Sequence, residues 1–140
     1  MKPAARFMTD LDMRRGKGDS RILLAPLIFY SAYLERSIAV PAGFVTNLAS
    51  VPRLPFAYLL FGGVADEAAV VHDWLYTNNV KGVTRKQADE VFAEASKALG
   101  VSGWQRGSMW LGVRLFGGNH WGSGSPLATV EPVIAEDERD

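Results

Sequence analysis

The stretch Ala65-Asp66-Glu67-Ala68-Ala69-Val70-Val71-His72-Asp73-Trp74-Leu75-Tyr76 determines how the second half of the chain folds. It has no glycine or proline through Thr77, and Asp66 near its start suits the positive end of a helix dipole, which predicts a helix. A His-Asp pair lies inside this apolar segment, where ionisable groups are costly unless they are paired or used for chemistry. Helical geometry places His72 on the same face as Tyr76, one turn further on.

Two more helices are predicted downstream. Thr84 and Gln87 form the Thr-x-x-Gln pattern of a capping box, and Gly100 is placed to end the helix that this box begins. A third helix is expected from about Trp104 to Phe116. The last three elements of the fold are therefore helical, and the first two of them form an antiparallel hairpin.

The residues upstream of the quoted stretch have the composition of β-strands. Pro26 interrupts two runs rich in Ile, Leu, Phe and Tyr, and short runs lie on either side of turns at Gly16-Lys17-Gly18 and Pro41-Ala42-Gly43. The predicted strands are Phe7–Met13, Arg21–Ala25, Leu27–Tyr33, Ser37–Val40 and Phe44–Thr46. The fold class is thus α+β, with an N-terminal antiparallel β-sheet followed by a three-helix C-terminal half.

Length and charge indicate a single domain with an acidic end. The chain has 140 residues, of which 48% are hydrophobic and 21% charged, as expected for one globular domain. Residues 131–140 contain five acidic residues and one arginine, so the rest of the chain, with fourteen basic and ten acidic residues, carries a charge of +4. We expect a domain over residues 1–130 and a mobile, solvated tail over residues 131–140.

Composition also excludes several classes of function. The chain has no cysteine, which removes disulfide scaffolds, thiol nucleophiles and cysteine zinc sites. Fifteen basic and fifteen acidic residues cancel, so charge predicts no nucleic-acid partner. The first ten residues lack the apolar core of a signal peptide, and the longest apolar run, at about residues 55–65, is too short to span a bilayer. We expect synthesis in a cytoplasm.

The spacing around the helix hairpin brings two ionisable residues together. His72 lies five residues before Thr77, and Asp89 lies five residues after Thr84, so the two come level in an antiparallel pair. A carboxylate there would fix the tautomer of the imidazole and leave its other nitrogen as a general base. Asp73 points about a quarter-turn away, where it could hold a hard cation with backbone carbonyls. The alternative is a structural role, with His72 and Asp89 as interface partners.

The same residues carry a resemblance to phospholipase A2. His72-Asp73-Trp74-Leu75-Tyr76 resembles the His-Asp-x-x-Tyr helix motif of those enzymes. Ala65–Tyr76 followed by Ala88–Phe92 is similar to the disulfide-free type in parvovirus capsid proteins, over about thirty residues. This resemblance implies that His72 activates water, Asp73 binds calcium and Asp89 orients His72. The glycine-rich calcium loop of those enzymes lies further upstream than Gly62-Gly63 does here.

A broader resemblance covers most of the chain. The matching stretches resemble domain-of-unknown-function family 1353, small proteins of tailed phages and prophages: Val40–Arg53, Ala69–Tyr76, Ala88-Asp89 and Val113–Gly117. An aspartate usually stands in that family where this chain has Asn47, so a catalytic or cation-binding role of that carboxylate would be weakened or lost here. Asn47 and Ser50 are also common turn-forming residues, which is the alternative.

These observations lead to two hypotheses about function. The first is a virion or tail-associated protein, of the tail-tip type, that acts by binding other phage virion proteins, with Trp104 and Trp121 exposed at interfaces. The alternative is a phospholipase A2-like or other hydrolase that acts on host envelope lipid or another ester, with calcium as its candidate cofactor. The candidate site comprises two catalytic residues, one metal ligand and four supporting residues: His72 and Asp89; Asp73; Tyr76, Asn47, Ser50 and Arg114.

Overall fold

The computed structural model describes residues 2–18, 20–46, 65–78, 80–118 and 121–122. Its N-terminal half contains six short strands, all paired antiparallel. They are β1 (Arg6–Phe7), β2 (Met13–Arg15), β3 (Arg21–Leu23), β4 (Leu27–Ser31), β5 (Arg36–Val40) and β6 (Val45–Thr46). The antiparallel β structure predicted for this half is confirmed.

The strands form two three-stranded sheets, in the orders β1-β4-β5 and β2-β3-β6. The chain changes sheets at Pro26, which has no N–H to donate to a ladder. Opposite it, the Thr9 hydroxyl donates to the Pro26 carbonyl (3.1 Å) and accepts from the Ile28 N–H (2.9 Å). The prediction of one strand over Phe7–Met13 is therefore wrong, because the Thr9 side chain replaces the ladder and the chain crosses between sheets there.

Three helices follow: α1 (Asp66–Thr77), α2 (Arg85–Ala98) and α3 (Gly103–Phe116). The predicted capping box is present, since the Thr84 side chain accepts from the Gln87 N–H and the Gln87 side chain accepts from the Thr84 N–H. Gly100 follows the end of α2 with a φ of 87°, a left-handed conformation that favours glycine. The three-helix half and its hairpin of α1 and α2 are confirmed.

The core lies where α1 and α2 pack against the sheets. β4 alternates buried and partly exposed residues, and its buried side chains meet the apolar faces of the two helices. Helix α3 packs mainly against α2 on the side away from the sheets. Among the largest fully buried side chains are Leu23, Leu27, Phe29, Phe44, Val70, Val71, Leu75, Tyr76, Val91, Phe92 and Met109. Helix α1 is thus enclosed by β-strands and by α2, which buries its His-Asp pair.

In the described part of the chain, none of the helices is both long and apolar enough to cross a membrane. The acidic tail predicted over residues 131–140 lies outside the described residues. The single-domain interpretation of residues 1–130 stays a prediction.

Candidate functional site

The Asp89 carboxylate is the centre of a hydrogen-bonded cluster that joins all three helices. Its side chain is fully buried, with 0% exposure. Oδ1 accepts from the Tyr76 hydroxyl at 2.6 Å and lies 2.9 Å from Nε2 of His72, both on α1. Oδ2 accepts from Nη1 of Arg114, on α3, at 2.7 Å. A buried carboxylate is tolerated only with such partners, so this cluster fixes the relative positions of the helices.

Ionisation of Asp89 follows from these contacts. Burial is the largest influence and opposes the charged form. The hydrogen bonds from His72, Tyr76 and Arg114, with the charge of His72, outweigh it, so the pKa of Asp89 lies below its ordinary value. Asp89 is therefore a carboxylate at neutral pH and can only accept hydrogen bonds.

The charge of Asp89 determines which nitrogen of His72 carries the proton. Because the carboxylate has no proton to give, Nε2 of His72 must be the N–H donor in the 2.9 Å contact. A neutral His72 ring then has Nδ1 as its acceptor, and Nδ1 forms no hydrogen bond with any of the described residues. His72 retains 5% exposure. The arrangement leaves one oriented basic nitrogen, which is what a general base requires.

Two aromatic rings pack against the imidazole of His72. The His72 ring lies 4.1 Å from that of Tyr76 and 4.7 Å from that of Phe92, measured between centroids. Phe92 is one turn beyond Asp89 on α2, so one helix supplies both the carboxylate and a wall of the imidazole site. This packing restricts rotation of the His72 ring and maintains its alignment with Asp89.

Tyr76 links the carboxylate to Arg85, the first residue of α2. The Tyr76 hydroxyl donates to Asp89 and accepts from Nε of Arg85 at 3.0 Å. Burial, followed by the hydrogen bond and charge of Asp89, raises the pKa of Tyr76 above its ordinary value, so its hydroxyl stays protonated. Nη2 of Arg85 also donates to the carbonyls of Val113 and Arg114, both at 2.8 Å. Arg85 thereby satisfies carbonyls at the end of α3 and fixes the Tyr76 hydroxyl.

Asp73, the candidate calcium ligand, lies beside strand β6. It is 5% exposed, and its Oδ2 accepts from the Thr46 hydroxyl of β6 at 2.8 Å. Calcium takes six to eight oxygen ligands, usually from several carboxylates and carbonyls. The described residues contain no group of three or more His, Cys, Asp or Glu side chains that could hold a metal ion. Calcium binding by Asp73 stays a prediction.

The structure brings together most of the predicted site residues. His72, Asp89, Tyr76 and Arg114 form one cluster, and its contact between His72 and Asp89 is the one that the level placement in the helix hairpin predicts. Asn47 and Ser50 lie outside the described residues, so their roles stay predictions. The catalytic roles of His72 and Asp89 also stay predictions, since geometry alone does not test them.

The two tryptophans expected at interfaces differ in the structure. Trp104 is 67% exposed, as expected. Trp121 is partly buried and packs edge-on against Tyr76, with 5.2 Å between ring centroids. Trp121 therefore covers the aromatic ring of a site residue, and its expected exposure is wrong.

Sequence reasoning missed Arg85, Phe92 and Thr46. The spacing of Arg85 and Phe92 could have identified them. They lie four residues before and three residues after Asp89, so they share its helix face. No sequence pattern could have identified Thr46, because its contact with Asp73 depends on how β6 packs against α1.

A family model matches the part of the chain that contains most of the cluster. The family described as "Protein of unknown function (DUF1353)" matches residues 22–113, about two-thirds of the chain. The chain belongs to this family, and the matched segment includes His72, Asp73, Tyr76 and Asp89. No curated protein and no solved structure matches the chain.

Proposed function

We propose that the protein is a hydrolase in which His72 is the general base that activates water for attack on an ester. The observation that carries this proposal is the 2.9 Å contact of Nε2 with the buried Asp89 carboxylate, which leaves Nδ1 as the basic nitrogen. A histidine oriented by a carboxylate is a recurrent device for moving protons at an ester or amide.

The proposed reaction uses this one imidazole for both proton transfers. Nδ1 of His72 removes a proton from water while the oxygen of that water bonds to the ester carbonyl carbon. Asp89 stabilises the imidazolium that forms, because its negative charge is already aligned with Nε2–H. When the tetrahedral intermediate collapses, the bond from carbon to the leaving oxygen breaks. The imidazolium then returns its proton to that oxygen, which yields an acid and an alcohol.

The remaining cluster residues would act through Asp89. Arg114 and Tyr76 each donate to the carboxylate, and Arg85 fixes Tyr76, so Asp89 is held on three sides. These contacts reduce the rearrangement that the site must undergo when His72 becomes charged. Arg114, Tyr76 and Arg85 are thus positioning residues.

The proposed substrate class and origin rest on the sequence resemblances. The spacing of His72, Asp73 and Tyr76 on α1 resembles that in phospholipase A2, which supports an acyl ester of a phospholipid, including a lipid of the host envelope. The resemblance to phage and prophage proteins supports a phage-encoded enzyme carried in the virion.

A hydrolysis assay tests the proposal. Purified protein would be given a water-soluble acyl ester and phospholipid vesicles, each with and without calcium. We expect turnover of at least one substrate, and His72→Gln should lower the rate by about 100-fold or more, the usual contribution of a general base. Asp89→Asn should also lower it severely, and Tyr76→Phe should have a smaller effect.

His120, the second histidine of the chain, provides a matched control. The His120→Gln variant should retain the wild-type rate, and circular dichroism should show that all variants are folded. A folded wild-type protein without turnover on any substrate would overturn the proposal, as would a His72→Gln variant of undiminished rate.

A second candidate function, binding of other virion proteins, is favoured by the outer face of α3. Trp104, Leu111 and Leu115 are 67%, 50% and 64% exposed, and their spacing of seven and four residues places them on one helix face. Exposed apolar faces of this kind are typical of interaction surfaces. Mass spectrometry should then detect the chain consistently in purified phage particles. A consistent absence from these particles would contradict this role.

A further inference from the structure

An open groove of about 360 Å³ lies between α2 and α3. The residues that line it come from both helices: Glu90, Ala93, Gly103, Arg106, Gly107 and Trp110. Nε1 of Trp110 donates to Oε1 of Glu90 at 2.8 Å, and Nη1 of Arg106 donates to the Val101 carbonyl at 2.8 Å. Within the described part of the chain, no ion pair joins Glu90 to Arg106. The groove therefore presents one acidic and one basic side chain, each from a different helix.

The outer face of α3 carries large apolar side chains beside this groove. Trp104 is 67% exposed, and Leu111, two turns further on, is 50% exposed. Gly107 and Ser108 lie midway between them. A side chain at residue 107 would have open space, with no atom of the described residues within 4 Å of its Cβ. Because glycine inside a helix costs about 1 kcal/mol relative to alanine, packing within the chain does not explain Gly107.

The spacing of these residues is the same in both directions along α3. From the midpoint between Gly107 and Ser108, Trp104 lies as far toward the start of the helix as Leu111 lies toward its end. In an antiparallel pair of two copies of α3 centred there, each Trp104 meets the Leu111 of the other copy. The two small residues then lie at the crossing point, where they allow the helix axes to come close together.

The charges of the groove fit the same antiparallel pair. The hydrogen bond from Trp110 places Glu90 about level with that residue, and Arg106 lies about one turn earlier on α3. The midpoint of these two levels is within one residue of the midpoint between Gly107 and Ser108. Glu90 of one copy therefore comes level with Arg106 of the other, and two-fold symmetry makes this contact twice. Opposite charges arranged in this way favour one register of association.

The remaining charges near the groove are either distant from its centre or already bound. Lys86 and Lys97 are exposed on the same face of α2 as Glu90, but they are about 16 Å apart along the helix. Such long side chains stay in water at the rim of an interface, where physiological salt screens repulsion beyond about 8 Å. Glu94 accepts two hydrogen bonds from the end of β4 and the turn that follows it, and Arg114 belongs to the buried cluster.

We propose that the α2–α3 face, comprising Glu90, Trp104, Arg106, Gly107 and Leu111, binds a second copy of this chain in a two-fold symmetric dimer. A symmetric dimer needs a patch that is complementary to itself, and the equal spacing and the paired charges supply this property. One helix face and one groove bury about 1,000 Å² or less in total, so the dimer is weak. The dimer does not depend on the proposed hydrolase, and it goes beyond the binding of other virion proteins.

Sedimentation equilibrium measures the association without any activity assay. We expect the chain to be monomeric near 10 μM, with a dimer fraction that rises toward about 1 mM. Trp104→Ala should weaken the association about tenfold or more, because large aromatic side chains contribute most at interfaces. Gly107→Gln should abolish it and leave the monomer folded, because residue 107 has space in the monomer and none at the crossing point. Tyr33→Ala is the matched control, since it removes another exposed aromatic side chain, and it should change nothing.

Reversal of the two charges tests the register of the pair. Glu90→Lys and Arg106→Glu should each abolish association, because like charges then face each other. An equimolar mixture of the two variants should associate again, since each supplies the charge that the other lacks. Circular dichroism checks that every variant is folded.

Three results would overturn the inference. The first is a wild-type chain that stays monomeric at about 1 mM, which would leave this face to another virion protein. The second is a mixture of the folded charge variants that stays monomeric. The third is equal weakening of association by Tyr33→Ala and Trp104→Ala. None of these results bears on the proposed hydrolase, which is tested by turnover.

Discussion

Replacing Asp89 by asparagine would show how strongly the buried carboxylate holds the helices together. Asparagine keeps the shape of the side chain but loses its charge and one of its two acceptor oxygens. In the wild type, those oxygens serve Tyr76, His72 and Arg114 at 2.6–2.9 Å. The amide oxygen of asparagine can accept hydrogen bonds from two of these donors. Its N–H groups then face the third donor. At least one buried contact is therefore replaced by two opposed donors.

The expected loss of stability depends on how deeply Asp89 and its three donors are buried. Removing one partner from a buried charged pair costs about 3–5 kcal/mol. The Arg114 side chain is 27% exposed and can recover part of this by hydration, whereas His72 and Tyr76 are buried. We therefore expect Asp89→Asn to lower the free energy of unfolding by about 3 kcal/mol, near the lower end of that range.

Urea denaturation followed by circular dichroism measures this change. With a slope of about 2 kcal/mol per molar urea, a loss of 3 kcal/mol moves the midpoint down by about 1.5 M. Glu90→Gln is the matched control one residue away, because a glutamine oxygen can still accept from Nε1 of Trp110, as Glu90 does at 2.8 Å. Glu90→Gln should lower the free energy of unfolding by less than about 1 kcal/mol. A loss below 1 kcal/mol for Asp89→Asn, or equal losses for both variants, would refute the central place given to Asp89.

Three further predictions concern the same helices. Because the pKa of Asp89 is lowered by folding, its contribution to stability is present above about pH 4 and is lost as the pH falls through the folded pKa. The stability difference between wild type and Asp89→Asn should therefore shrink in urea titrations below pH 4, and a difference that stays constant would contradict this. Thr84→Ala removes the capping box of α2 and should cost about 1 kcal/mol in the same assay, whereas an unchanged midpoint would show that the cap is unimportant. Tyr76→Phe leaves Arg85 without its hydroxyl acceptor and should cost about 1–3 kcal/mol, and a neutral result would exclude the proposed link between Arg85 and Asp89.

Local sequence patterns predicted the helical half well. The capping box at Thr84 and the glycine at residue 100 act within one helix turn, so the sequence alone specifies where α2 begins and ends. The division of the β half into two sheets was not predictable in the same way. It depends on the Thr9 side chain, which replaces ladder hydrogen bonds opposite Pro26, seventeen residues further along the chain.

The same distinction between local and long-range contacts applies to the candidate site. His72 and Asp89 could be paired from sequence because a short antiparallel hairpin brings equal counts of residues level. Arg114 was found as a supporting residue through its family stretch, but its contact with Asp89 depends on how α3 packs on α2. The contact of Thr46 with Asp73 depends on strand register, which no short-range pattern reveals.

The position of the proton on the neutral His72 ring decides whether Nδ1 is available as a general base. The chain has two histidines, so a long-range ¹H–¹⁵N correlation spectrum at neutral or mildly alkaline pH contains two imidazoles, and His120→Gln assigns them. We expect neutral His72 to carry its proton on Nε2, bound to Asp89, with Nδ1 unprotonated. In Asp89→Asn this preference should weaken. A wild-type His72 with its proton on Nδ1, or one divided evenly between the two nitrogens, would contradict the orientation on which the proposed general base depends.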